Sequence, residues 1–275
     1  MNLPEDFTFS QSSLQHYVDC PRRFQLKYLQ RQRWPAPQVD DMLEFERHME
    51  QGEIFHHLVH QHLVGIPSDV LASRQTDPDV QRWFAAYLQT GLTDVPAQRR
   101  PETTLTVPLG DYLLLAKFDL LAVEPDGRAL ILDWKTGQHI PRAENLARRL
   151  QTVVYRYVLA RGGSFLNGGK SIPPERIEMI YWYADHDGKT LRFPYDAAQF
   201  AADHAYLTQL VDEINSRADF PLTTDERRCR YCVYRSLNNR GTEAGSLSEW
   251  DENNELPLNL DDLTLDIDQI AEIEF

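Results

Sequence analysis

Apolar positions in the middle of the chain fall into short runs that predict three strands, over residues 103–108, 112–123 and 129–135, with a turn between the last two. Before them the apolar residues recur at helical spacing. Ser10 or Ser12 can cap a helix carrying Leu14, Tyr17 and Val18, and Pro21 opens a second helical stretch reaching Leu29. Residues 44–64 read as a long helix stopped by Gly65, and 80–88 as a shorter one with Trp83, Phe84 and Tyr87 on its apolar side. After the strands, a helix over 142–161 ends at Gly162-Gly163. An aromatic-rich strand over 177–183 then turns at Asp187-Gly188 into 190–193, and a last helix covers 196–217. This order predicts an α/β fold in which helices flank a mixed central sheet, with a helical region at the N-terminus.

Charge interrupts two of these strands. In LLLAKFDLLAVEPDGRALILDWKTG, residues 113–137, Asp119, Asp133 and Lys135 stand in what would otherwise be two buried hydrophobic strands. Taking an ionised group out of water costs several kcal/mol unless it is paired or binds a metal, so a site explains them better than a strand does. Pro125-Asp126-Gly127 suits a three-residue hairpin loop, with proline pre-set for the first turn position and glycine free to take the left-handed conformation. Closing the loop that way pairs Glu124 with Arg128. Counting back along antiparallel strands then sets Asp119 directly opposite Asp133, on one sheet face with Lys135. A two-residue Asp-Gly loop would instead send Asp119 to the other face.

With 275 residues, 42% of them hydrophobic, the chain has ample material for a core. No apolar run approaches the ~20 residues needed to span a membrane, and MNLPEDFTFS lacks the basic and apolar regions of a signal peptide, so a cytoplasmic, membrane-free protein is expected. The net charge of −14 is concentrated: residues 247–275 hold ten acids and no Lys or Arg, leaving 32 acids against 28 bases, a body near −4. Basic residues cluster at Arg22-Arg23, Arg148-Arg149 and Arg227-Arg228-Arg230, so the global sign does not exclude a polyanionic partner. The division expected is a folded body over 1–246 and an acidic tail over 247–275, disordered or folded only against something else.

Further polar positions flank the hairpin. Gly52 and His56 are one turn apart on the long helix, and Gln151 and Tyr155 share a face of the helix after the hairpin. Gly52…His56, Lys117-Phe118-Asp119, Asp133-Trp134-Lys135-Thr136-Gly137 and Gln151…Tyr155, in this order, resemble the PD-(D/E)XK nuclease superfamily, over about residues 10 to 240. The likeness is greatest to its RecB-like branch, which includes CRISPR-associated exonucleases. The resemblance implies a restriction-endonuclease-like core over 1–246 and a metal-dependent deoxyribonuclease. Its expected activity is exonucleolytic, hydrolysing phosphodiester bonds of single-stranded DNA or duplex ends in repair or recombination. It further implies that His56, Asp119 and Asp133 ligate Mg²⁺ or Mn²⁺ with the Trp134 carbonyl, that Lys135 holds the attacking water or scissile phosphate, and that Gln151 and Tyr155 brace the lysine and the DNA backbone. Carboxylates and water suit Mg²⁺ chemically. Ala116 departs from the family, which usually has glycine there. Lys117 would face Lys135 across the hairpin, either as a second phosphate contact or as a sign that the register is off. The rival reading is a non-catalytic DNA-binding or scaffold subunit of a helicase–nuclease complex, and a third is an RNA-directed enzyme of the same fold.

Three cysteines do not make a disulfide framework in a protein expected in the cytoplasm. In the iron–sulfur members of this family, one N-terminal and three C-terminal cysteines hold a [4Fe–4S] cluster. Cys20, Cys229 and Cys232 match three of these, and Asn238 stands where the fourth is expected, which implies an incomplete iron–sulfur site. Unrelated buried thiols, or zinc held by three cysteines and a histidine, remain alternatives. Residues 164–171 nearly spell a phosphate-binding P-loop, but Ser164 stands where glycine is required and Pro173-Pro174 forbid the helix that should follow Lys170. No ATP site is expected, and helicase activity would belong to a partner. The tail ends in alternating apolar and acidic residues, as a DNA mimic, a docking segment or a solubilising tail.

Overall fold

A computed structural model describes residues 3–4, 6–34, 38–39, 42–124 and 127–245, so the expected tail and the loop residues Pro125 and Asp126 lie outside the described residues. The strands are β1 (Thr8–Ser10), β2 (Gln38–Val39), β3 (Gln98–Leu109), β4 (Tyr112–Val123), β5 (Ala129–Lys135), β6 (Ile177–Tyr183), β7 (Lys189–Pro194) and β8 (Glu243–Gly245). The helices are α1 (Gln11–Asp19), α2 (Pro21–Phe24), α3 (Met42–Leu63), α4 (Ser68–Arg74), α5 (Pro78–Ala86), α6 (Ala143–Arg148), α7 (Leu150–Gly162) and α8 (Ala197–Ser216). The described residues divide into two compact units, a larger one within 4–11 and 50–213 and a smaller one drawn from residue 3, 12–49 and 214–245.

The larger unit is built on a six-stranded mixed sheet, in which β4 carries β3 along one edge over its whole length. Its other edge is divided. There β1 runs parallel beside Leu113, Leu114 and Leu115, and β5 runs antiparallel beside residues 120–123. Among the described residues, 116–119 have no ladder partner on that edge. The sheet continues with β6 parallel to β5 and β7 antiparallel to β6.

The hairpin register is the one the three-residue loop predicts. Val123 pairs with Ala129 and Leu120 with Leu132, the Glu124 N–H donates to the Arg128 carbonyl at 2.8 Å, and Gly127 takes a φ of +87°. Continuing the count sets Asp119 opposite Asp133, where the main-chain ladder has already ended.

Alternation sorts β5 and β6 onto two faces. Leu130, Leu132, Trp134, Ile180 and Trp182 meet Phe55 and Val59 of α3 and Trp83 and Phe84 of α5 in one core, where Phe55 stacks on Trp182 at 6.0 Å. Asp133, Lys135 and Tyr181 take the opposite face, under α7, where the Tyr181 hydroxyl lies 2.8 Å from Thr152 Oγ1. The start of α5 is set by chemistry: Asp77 accepts from the N–H groups of Asp79 and Val80, and Pro78 occupies the first turn.

The helix expected over 142–161 is broken. Arg149 is extended, with φ −63° and ψ 140°, and separates α6 from α7. The carbonyl of Leu146, which a continuous helix would offer to Leu150, instead accepts from Thr152 Oγ1 at 2.6 Å and from the Arg149 N–H. A local side-chain bond thus replaces the helical one. The strand expected over 103–108 extends to Gln98–Leu109, since β4 offers a continuous edge for it.

In the smaller unit, α1 and α2 pack an aromatic core in which Phe24 meets Tyr17 edge-on at 5.8 Å and stacks on Phe220 at 6.2 Å. The Tyr234 hydroxyl donates to the Gln32 carbonyl, Arg228 pairs with Asp19, and β2 runs parallel to β8. Much of the basic character read from the sequence is paired here: Arg227 with Asp225, and Arg240 with Glu226. Among the described residues no helix is long and apolar enough to cross a membrane. No α-helix follows Lys170; a short 3-10 turn, Pro174–Arg176, leads into β6.

Candidate active site

The site forms where the β4–β5 hairpin parts. Past Leu120 and Leu132 the strands stop pairing through their backbones, and the Asp119 carboxylate takes over, accepting from the Trp134 N–H at 3.0 Å. Strand β4 changes phase at this point. Phe118 lies against Tyr155 of α7, with ring centroids 4.8 Å apart, whereas Leu120 belongs to the core under α3 and α5. Residues two apart on a regular strand share a face, so Asp119 sits on a twist. Across β3 from it, between the Pro101–Leu120 and Thr103–Phe118 pairs, Glu102 has a φ of +47°. A non-glycine residue held there stores roughly 1–3 kcal/mol of strain, which the paired strands on either side must hold.

Asp133 is almost wholly buried, at 3% exposure. Its Oδ1 accepts from Gln151 Nε2 at 2.7 Å, and its Oδ2 lies 2.7 Å from Lys135 Nζ. Lys135 also donates to Gln151 Oε1 at 3.1 Å, so one amide from the first turn of α7 holds both the acid and the lysine. The Oδ2 contact is an ion pair without hydrogen-bond geometry, which leaves that buried oxygen without a hydrogen bond among the described residues. From the other side α3 brings His56, whose Nδ1 is 3.5 Å from Asp119 Oδ2. Burial pushes the Asp119 carboxyl up to about 6; Asp133 adds to the rise, while His56, Lys135 and the Trp134 N–H oppose it.

Gly52 sets the approach of α3. A Cβ there would lie 3.0 Å from Thr136 Oγ1, immediately after Lys135. Glycine inside a helix costs about 1 kcal/mol against alanine, and close approach to the strand end is what it allows. Replacing it with valine should push α3 away one turn before His56. We expect Gly52→Val to lose about 1–3 kcal/mol of stability and to raise the divalent-ion concentration needed for half-maximal activity. Urea unfolding and a metal titration would check this, and an unchanged metal requirement would refute it.

Asp119, Asp133, Lys135, Gln151 and His56 are thus brought together. Tyr155 packs on Phe118, beside the strand twist. Lys117 does not face Lys135: the strands have parted before it, and it pairs with Glu102 at 3.0 Å. Sequence reasoning missed Tyr181, whose ring lies 5.5 Å from Lys135 Nζ and whose hydroxyl is 3.4 Å from Gln151 Oε1. Because Thr152 spends its one proton on Leu146, Tyr181 donates to Thr152. Only the parallel β5–β6 register, a non-local fact, places it beside Asp133.

Among the described residues no three His, Cys, Asp or Glu side chains form a ready-made metal cage. Mg²⁺ does not require one, since it keeps several waters and is bound through one or two carboxylates. The buried Asp133 Oδ2, with no hydrogen bond, and the nearby Asp119 fit such an ion. An iron–sulfur cluster does require gathered thiolates, and the structure does not support one. Cys20, Cys229 and Cys232 of the smaller unit are buried and in no disulfide, and although burial, with the other two cysteines nearby, pushes the Cys229 thiol up to about 11, they form no metal-holding group among the described residues. Cys232 packs beside Leu26 and Tyr234.

The PD-(D/E)XK nuclease superfamily sequence profile matches residues 8–237. No curated protein matches the chain. Among solved structures, SSO0001 is 14% identical with a TM-score of 0.40, covering 86% of this chain and 87% of its own. A candidate exonuclease of Eubacterium rectale is 10% identical with a TM-score of 0.46, covering 76% of this chain and 80% of its own. Nucleases of this superfamily generally use divalent metals such as Mg²⁺ or Mn²⁺, in keeping with the carboxylates at the parted hairpin. By the extent of the profile match, this chain belongs to the PD-(D/E)XK nuclease superfamily.

Proposed function

We propose that the chain is a divalent-metal-dependent deoxyribonuclease of the RecB-like branch, cutting DNA from its ends in repair or recombination, with any helicase activity supplied by a partner. The observation that carries this reading is the Asp133–Lys135–Gln151 triangle, held beside Asp119 and His56 at the parted hairpin. His56, Asp119 and Asp133 would hold Mg²⁺ or Mn²⁺. Such an ion, when bound, polarises a phosphoryl oxygen and eases deprotonation of a bound water. The protein supplies the geometry. Gln151 fixes Asp133 through its amide N–H and aims Lys135 through its carbonyl; the Trp134 N–H holds Asp119; Tyr181 lies against Lys135 on the covered side. Lys135, freed from Asp133 as counter-cation, can hold the attacking water or a phosphate oxygen, where charge develops during cleavage.

The test is degradation of end-labelled single- and double-stranded DNA by the purified chain with Mg²⁺ or Mn²⁺, beside Asp133→Ala and Lys135→Ala. Cleavage that falls at least about 10³-fold in both variants supports the reading, and the label position gives its polarity. DNA binding without cleavage in any metal would replace it with the non-catalytic scaffold.

A further inference from the structure

We propose that Arg149 contacts a DNA phosphate next to the one that is cut, an inference that rests on the nuclease reading above. Arg149 occupies the extended break between α6 and α7, two residues before the Gln151 that grips Asp133 and Lys135. It is therefore held at the same end of α7 as the site, by the Thr152–Leu146 bond that breaks the helix.

The parallel register sets Tyr181 beside Asp133 and Tyr183 beside Lys135, so the two tyrosines extend the charged face of β5 one strand outward. Arg149 bears on both: burial drives the two hydroxyl pKa values up, and the Arg149 charge draws them back. Its charge is thus felt at the two tyrosines paired with Asp133 and Lys135. Tyr181 donates inward to Thr152. Tyr183, one pair further along, is itself buried, at 2% exposure, so of these groups the half-buried Arg149 is the one open to a ligand.

The arginine is half-buried and, among the described residues, its side chain enters no hydrogen bond or ion pair. Arg156, Arg82 and Arg192 of this unit are by contrast committed, to Asp203 and backbone carbonyls, to Asp185 and to Glu178. A partly desolvated guanidinium without an acid partner, two residues before Gln151, is suited to an anion that arrives with the substrate. Its planar fork matches two phosphate oxygens, which a lysine cannot do. Lys135 and Arg149 then play different roles, the first meeting the scissile phosphate and the second holding the strand in register beyond it.

Salt dependence tests this, because each phosphate contact on a single strand adds about 0.7 to the slope of log affinity against log salt. Binding of a labelled single-stranded oligonucleotide in EDTA, followed by anisotropy, would be measured for the wild type, Arg149→Gln, Arg149→Lys and Arg161→Gln. Arg149→Gln should lower the slope by about 0.7 and weaken binding roughly fivefold at 0.1 M salt, with KM for cleavage rising in step. Arg149→Lys should recover most of the slope, and Arg161→Gln, at the far end of α7, should match the wild type. If Arg149→Gln keeps the wild-type slope, or Arg161→Gln loses as much, Arg149 makes no phosphate contact while the nuclease reading stands. A wild type that neither binds nor cuts DNA removes both.

Discussion

Asp119→Asn should make the metal-free protein more stable at neutral pH while abolishing cleavage. Burial raises the folded-state carboxyl from 3.8 to about 6, so between those values the folded protein binds more protons than the unfolded chain. The sign follows. Asp119 costs no stability below the lower value, costs progressively more as pH rises through the interval, and costs its full amount above about 6. Removing the charge should return about 1–2 kcal/mol at pH 8 and nothing at pH 4, since a shift of one unit is worth about 1.4 kcal/mol and part of this one is shared with Asp133. Asparagine keeps an oxygen for the Trp134 N–H. Added Mg²⁺ should stabilise the wild type and leave the variant unchanged, because a ligand that binds the folded state alone stabilises it by mass action. Urea unfolding at both pH values, with EDTA or Mg²⁺, checks each arm; a variant less stable than wild type at pH 8 in EDTA would overturn the argument.

Arg156→Ala should be the most destabilising single change outside the hydrophobic core, by about 3–5 kcal/mol. The side chain is 1% exposed and stacks over the Tyr195 ring at 4.6 Å. Its Nε donates to the Thr152 carbonyl, and Nη1 donates to the Pro194 carbonyl and Gln199 Oε1. Only a long 3.9 Å contact joins it to Asp203, whose carboxyl is pushed up by burial. Truncation leaves that acid buried with its cation gone and takes the side-chain donor from the Pro194 carbonyl and Gln199 Oε1. The double variant Arg156→Met, Asp203→Leu should recover at least half the loss, since a buried ion pair can be replaced by apolar side chains at little cost whereas breaking it is expensive. Urea unfolding of both variants would decide; a loss below about 1 kcal/mol in the single variant would show that the pair is not what fastens α7 to α8.

Local chemistry explains which parts of this site could be read from the residues. The loop Pro125-Asp126-Gly127 fixes the register of β4 and β5, and from that register alone Asp119 stands opposite Asp133. Three strands, Tyr112–Val123, Ala129–Lys135 and Ile177–Tyr183, have the bounds their apolar runs predict, because the last two, and the second half of the first, are buried on both faces and turn residues mark their ends. The break at Arg149 was missed because no proline or glycine marks it. It depends on Thr152 winning the Leu146 carbonyl, a competition that hydrophobic periodicity does not record.

By itself the sequence determined the hairpin, the register that opposes the two aspartates, the helical spacing of Gly52 with His56 and Gln151 with Tyr155, and through them the superfamily. These are short-range facts, set by turn chemistry and by the periods of strand and helix. The tertiary structure alone decided that β4 and β5 part at Asp119, that Lys117 turns to Glu102, that Tyr181 lies against Lys135, and that the three cysteines are buried without a metal-holding group among the described residues. Each of these depends on which distant segment packs where: β1 and β5 dividing one edge of β4, β6 beside β5, and α3 and α7 closing the two faces. Such pairings lie dozens of residues apart and are selected by burial of the whole sheet, so no local pattern in the chain contains them.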